Sequence, residues 1–343
     1  MKALKPMFML VVVVIVVIIL LPAMLVLPFS NDTTFGKLTE NIEQKATNEQ
    51  SKEKMKEPAV EVAVLRTTSK QVQKLPLESY LIGVVAAEMP VHFEKEALKA
   101  QSLTARTYIV NQLIQGDRTG LPANADVSDG ENHQVYKSDQ ELKELWGSQY
   151  KQNLQKIKEA VQETAGQILT YEGDPITATF FSTSNGYTEN SEEYWKAAYP
   201  YLKSVSSPWD TESPKFYNKV VMTVADFEQK LGVNVPSGTE IGTVVERTAG
   251  KRVGVVRING KELTGKQIRE KLHLMSSDFS WERQGNQIII TTKGYGHGVG
   301  MSQYGANGMA QEGKSYKDIV KYYYKGVTVQ SSNKWVNTLT VKK

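Results

Sequence analysis

One apolar run near the start limits what this chain can be. Met7 to Pro28 reads MFMLVVVVIVVIILLPAMLVLP without a single charge. A bilayer core of roughly 30 Å is crossed by about 20 such residues at 1.5 Å of rise each. A secretory signal peptide has a shorter apolar region and a small-x-small cleavage site, whereas here the run continues to Leu27 and closes on Pro28, Phe29 and Ser30. Residues 1–29 are therefore expected to form a retained transmembrane helix. Lys2 and Lys5 are the charges that precede it, and positive flanks stay in the cytoplasm. The expected protein is single-pass, with its N-terminus cytoplasmic and everything after Phe29 outside the membrane.

Composition excludes some functions. Lys plus Arg number 41 against 37 Asp plus Glu, a formal charge of +4 spread along the chain, too mild for a nucleic-acid partner. No cysteine is present, so neither disulfides nor thiolate metal sites are available and the fold must rest on its core.

Residues 30–58 are polar and nearly free of aromatics. Such a segment cannot offset its ordering entropy and is expected to be a flexible tether. From Val60 the pattern becomes that of a folded domain, residues 59–343. VEVAVLRT alternates as a strand, Leu77 to Glu88 repeats apolar residues at helical spacing, and a long helix is expected after Phe93 to about Ile114. Asp126 to Tyr136 reads as a polar loop. Ser138 and Glu141 form a capping box for a helix to about Thr164, and QILTYEGDPITATFFS reads as two strands turning at Gly173-Asp174-Pro175. Residues 215–293 alternate strand and helix with short turns and read as an inserted lobe. Its polar residues, Glu246 and Arg252 among them, fit ordinary surface alternation. The expected class is α+β: helices and a mostly antiparallel sheet core with a smaller inserted α+β lobe, preceded by one transmembrane helix.

The most informative residue is a carboxylate on an apolar stripe. Leu77, Tyr80, Leu81, Val84 and Val85 fall on one helix face, and Glu88 continues that face at i+11. Pro90 disfavours helical dihedrals at Met89, which puts Glu88 in the last turn, near the negative end of the helix dipole. Desolvation and that dipole both oppose ionisation, a setting that suits a general acid. A structural Glu paired to Lys99 or Arg106 fits the same pattern. Lys99, Ser102 and Arg106 mark a cationic face on the next helix. That face is either solvated, or orients Glu88, or holds a polar substrate.

Ser182 to Tyr187 and the loop around His297 are rich in hydroxyl, amide and glycine, which suits close approach to a sugar. A serine nucleophile with His297 as base is a rival, but no Gly-x-Ser-x-Gly elbow is present. His133 with Asp126 and Asp129 offers one imidazole and two carboxylates, short of a fourth metal ligand. Glu189, Glu192, Glu193 and Asp210 are candidates for a second carboxylate, the partner an ordinary glycosidase requires.

Five segments in order, AAEMP, EALKAQSLTARTY, FFSTSNGYTEN, YLKSVSSPWD and GYGHGVGMSQYGANGMA, resemble the stage II sporulation protein D (SpoIID) family, also described as amidase enhancers. The resemblance covers about Val60 to Val329. It implies a membrane-anchored lytic transglycosylase acting at the sporulation septum during engulfment, on peptidoglycan glycan strands from which an amidase has removed the stem peptides. It puts the catalytic glutamate at Glu88 and makes Lys99, Arg106, Ser184, Tyr201, His297 and Tyr304 site-lining. The implied partners are a membrane-anchored cell-wall amidase and a polytopic membrane protein. Some relatives carry metal-holding cysteines near QVY and in the STSNG-like loop. This chain has His133 and Ser184-Asn185 there, and neither metal nor cofactor is expected. The alternative is a non-catalytic glycan-binding scaffold that stimulates the amidase.

Overall fold

A computed structural model describes residues 60–130 and 132–341. The expected anchor and tether lie outside the described residues, and among those described no helix is long and apolar enough to cross a membrane.

The domain opens on the antiparallel hairpin β1 (Glu61–Leu65) and β2 (Val72–Pro76), followed by α1 (Leu77–Glu88) and α2 (Lys95–Gln115). β3 (Val127–Ser128) pairs parallel to β1. Leu77, Tyr80, Leu81, Val84 and Val85 are all buried. The helix ends where Met89 becomes extended (φ −119°, ψ 134°), as Pro90 requires. α3 (Asp139–Trp146) starts on a complete Ser138/Glu141 capping box. The single helix expected to reach Thr164 is broken, because Gly147 sits at φ 49°; after a 3-10 turn the chain resumes as α4 (Tyr150–Glu163).

β4 (Gln167–Tyr171) pairs with β5 (Asp174–Pro175), so the turn is at Glu172-Gly173 and the expected turn residues Asp174 and Pro175 belong to the strand. β6 (Phe180–Phe181) and the short α5 (Ser191–Tyr194) lead toward the lobe. In the lobe, β7 (Tyr217–Thr223), α6 (Val224–Leu231), β8 (Thr243–Arg247), β9 (Val253–Ile258), β10 (Lys261–Thr264), α7 (Gly265–Leu272), β11 (Asp278–Gln284) and β12 (Gln287–Lys293) surround a separate core that includes Phe227, Val256, Ile268 and Ile290. Tyr217 pairs with Lys293, so the chain enters and leaves the lobe side by side.

The chain returns through β13 (Met301–Ser302, parallel to β6), α8 (Gln303–Gln311), α9 (Tyr316–Tyr323), β14 (Thr328–Ser331, against β4) and α10 (Asn333–Val341). The main core packs α1, α2, α4, α8 and α9 around Leu81, Leu98, Leu103, Ile157 and Tyr323. The class is α+β, with several small and mostly antiparallel sheets.

Candidate active site

Glu88 ends α1 half-buried, and its Oε1 accepts the Val135 backbone N–H at 2.7 Å. The 126–136 loop reaches it because Tyr136 lies over Gly83, where an added Cβ would fall 2.3 Å from the ring, and stacks on Tyr80 at 5.7 Å between centroids. The loop thus fixes the direction of the carboxyl group. Asp126 accepts from the Ala63 N–H and pairs with Arg118, while Asp129 pairs with Arg66. His133 shares a hydrogen bond with Ser128 at 2.9 Å. Both carboxylates of the considered metal cluster are therefore committed to arginines.

The face carrying Lys99, Ser102 and Arg106 is not a solvated one. Arg106 is fully buried and donates to both Glu78 oxygens and to the carbonyls of Val161 and Thr164, at 2.7–3.0 Å. It closes the C-terminal end of α4, where unsatisfied carbonyls gather, on the start of α1. Glu78 lies ten residues before Glu88, about 15 Å along a helix. Ser102 bonds to the Leu98 carbonyl. Lys99 pairs with Glu96 and Glu163 and lies 4.6 Å from the Tyr316 ring centre.

Beyond Glu88 the chain turns through Phe93, which meets Tyr304 edge to face at 4.9 Å, and Glu94, whose N–H donates to Asn307. The Tyr304 N–H donates to the Ser182 carbonyl, and Thr183 exchanges backbone bonds with Tyr295 at 3.0 and 2.7 Å. Phe93, Tyr304, the 182–187 loop and the glycine loop thus follow one another through direct contacts, beginning five residues after Glu88. Tyr201 is buried, its hydroxyl accepting from the Thr177 N–H and its ring beside Tyr171 and Tyr199.

Ser184 does not meet His297 as a nucleophile meets its base. Its hydroxyl and N–H both donate to Asp210 at 2.8 Å, and Ser207 and Ser302 donate to the same carboxylate at 2.5 Å. Burial raises the Asp210 carboxyl above the ordinary range against the pull of these donors. His297 accepts the Val299 N–H on Nδ1 at 3.1 Å and sits among the rings of Phe181, Tyr194 and Trp195, 5.3–5.7 Å away. The residue is half-buried, and its pKa is pushed down to about 3, by burial first and then by Arg269 and Arg252. It is neutral near pH 7, with its proton on Nε2.

The sequence reading missed the grip of the lobe on these loops. Arg252, expected on the surface, is buried and donates to the carbonyls of Tyr187 and Gly250 at 3.1 and 3.3 Å. Its guanidinium covers Gly298, φ 89°, where a Cβ would fall 2.4 Å from Cζ. Buried Glu189 lies 3.8 Å from Arg252 and accepts from Thr248 and from the N–H groups of Gly250 and Asn190. Asn185 donates to the Gly250 carbonyl and to Asp278. The one available signal was Gly250, whose missing side chain admits the Thr188 carbonyl.

Of the remaining candidate carboxylates, Glu192 pairs with Lys203. Exposed Glu193 is pushed above the usual range by partial burial and by Glu189, Glu246 and Glu192. A depression of about 470 Å³ lies on the lobe, lined by Glu228, Gly232, Asn259 and Lys261 among others; it includes none of the nominated residues.

Residues 65–171 match the family model described as SpoIID, Stage II sporulation protein. The chain is 49% identical over 325 residues to Stage II sporulation protein D of Bacillus subtilis (strain 168), covering 94% of this chain and 95% of that one. It is 49% identical over 347 residues to the protein of the same name from Bacillus amyloliquefaciens, covering 99% and 100%. It is also 29% identical over 308 residues to the amidase enhancer of Bacillus subtilis (strain 168), covering 73% of this chain and 40% of that protein.

Proposed function

The chain belongs to the stage II sporulation protein D family, a family with a role in sporulation, and we propose that it is a peptidoglycan lytic transglycosylase with Glu88 as its single acid and base. The observation that carries this reading is the contrast among carboxyl groups. Glu88 stands half-buried at a helix end, oriented by the Val135 N–H, while Asp210 and Glu189 are 0% and 2% exposed, closed off from a polymer in solution. Hydrolytic glycosidases need a second carboxyl group, about 5 Å away if retaining and wider if inverting.

In a one-carboxyl mechanism Glu88 gives its proton to the oxygen leaving the anomeric carbon of N-acetylmuramic acid. The bond to N-acetylglucosamine breaks and that sugar departs with a free hydroxyl. The Glu88 carboxylate then takes the proton of the muramic C6 hydroxyl as its oxygen closes on the anomeric carbon, giving a 1,6-anhydro end with no water consumed. Peptide-free strands are the proposed substrate. The proposed setting is the cell membrane at the sporulation septum, reached through the N-terminal span with the catalytic domain outside. A relative named as an amidase enhancer supports a membrane-anchored cell-wall amidase as partner. A polytopic membrane protein of the engulfment complex is the second proposed partner.

Digestion of peptide-free strands in ¹⁸O-labelled water tests the reaction type. Transglycosylation leaves unlabelled ends lighter by one water; labelled reducing ends would make the protein a hydrolase. Stimulation of an amidase without any strand cleavage would favour the scaffold reading.

A further inference from the structure

Among the described residues three aromatic side chains are exposed, Tyr187 at 40%, Tyr217 at 63% and Tyr295 at 37%. They do not scatter. Tyr295 pairs with Thr183, four residues before Tyr187, and the Gly294 N–H donates to the carbonyl of Phe216, the neighbour of Tyr217. All three rings thus belong to adjoining backbone at the junction of core and lobe. Lysines accompany two of them: Lys215 Nζ lies 5.1 Å from the Tyr295 ring centre, and Lys293 Nζ lies 6.0 Å from that of Tyr217, its cross-strand partner. Exposed Lys219 follows Tyr217 on the same outer face of β7, an edge strand of its sheet. None of these three lysines pairs with a carboxylate among the described residues. Asp278, across from Lys293, is occupied by Asn185 and Arg247.

Exposed rings gathered in one place mark an interaction surface, and aromatic faces beside unpaired cations suit one kind of polymer in particular. A muramic residue that has lost its stem peptide carries a free lactyl carboxylate, so a peptide-free strand presents apolar sugar faces and regularly spaced negative charge. We propose that Tyr217 and Tyr295, with Lys215 and Lys293, extend the glycan site onto the lobe, the rings stacking on sugars and the lysines reading the lactyl carboxylates. The surface adjoins the nominated Tyr304, because Tyr295 pairs with Thr183 and the neighbouring Ser182 carbonyl accepts the Tyr304 N–H. This rests on the glycan reading of the site and deepens it by naming what would select peptide-free strands.

The test titrates the full-length chain with peptide-free strands, peptide-bearing strands and neutral chitin oligosaccharides at several salt concentrations. Lys215→Glu/Lys293→Glu should weaken binding to peptide-free strands about tenfold, flatten its salt dependence and spare the neutral sugar. Tyr217→Ala/Tyr295→Ala should weaken binding to peptide-free strands and neutral sugar alike by about tenfold. All four side chains are exposed, so folding should survive. Wild-type affinity in both double variants overturns the proposal. So does unchanged glycan binding with lost stimulation of an added cell-wall amidase, which would assign the surface to a protein. If the wild type binds strands through this surface and cuts none, the extended site stands and the lyase reading falls. If it cuts strands while the variants bind normally, the reverse holds.

Discussion

Arg252→Met removes a charge that the fold has built around. Two hydrogen bonds to the carbonyls of Tyr187 and Gly250 disappear, and Glu189, 2% exposed, keeps its charge without its cation. Breaking a buried pair costs about 3–5 kcal/mol. The 3.8 Å separation and the three other donors to Glu189 place this case at the low end, about 3 kcal/mol. At roughly 2–4 °C per kcal/mol for a domain of this size, Tm should fall by about 6–12 °C. Adding Glu189→Gln should return part of the loss, since the second substitution removes the stranded charge. Thermal unfolding followed by circular dichroism measures all three proteins, with the exposed Glu246→Ala as a silent control. An Arg252→Met protein melting within a degree or so of wild type would refute the lobe clamp and restore the surface reading of this residue.

His297 is neutral in the folded state with a pKa of about 3, below its unfolded value near 6.5. The unfolded chain therefore binds one more proton between those values, and stability should fall as pH drops through that window, by up to about 1.4 kcal/mol per unit. Urea unfolding of His297→Gln across pH 4–7 should show that slope reduced by the same amount. Asp210→Asn replaces an acceptor of four donors with an amide that turns two donors of its own toward them. It should lower stability by about 2–4 kcal/mol, and any folded fraction should cut strands with an unshifted pH profile. A shifted profile would make Asp210 part of the chemistry.

What could be read in the sequence was local. The α1 stripe, its end before Pro90 and the capping box at Ser138 involve residues within a few positions of one another, and each forms as its pattern implies. The break at Gly147 was hidden because the helical pattern of α3 and α4 continues on both sides of it. The partners of Arg106 were hidden for a different reason: charge spacing on one helix does not reveal that Thr164 and Val161 supply carbonyls from another. Arg252 and Asp210 were equally illegible, their partners lying up to 92 positions away. Glu88 was legible as an anomaly on its own helix, while the loop that orients it came from Val135, 47 positions on.

The most direct test of the central claim is single-turnover cleavage of peptide-free strands by Glu88→Gln, measured beside its affinity for the same strands. Glutamine keeps the shape of the side chain and an oxygen for the Val135 N–H, but it can neither give nor take the proton. The rate should fall by on the order of 10² to 10⁴ with affinity and Tm close to wild type. A Glu88→Gln protein that cuts strands at the wild-type rate would show that Glu88 is not the acid and base of this reaction.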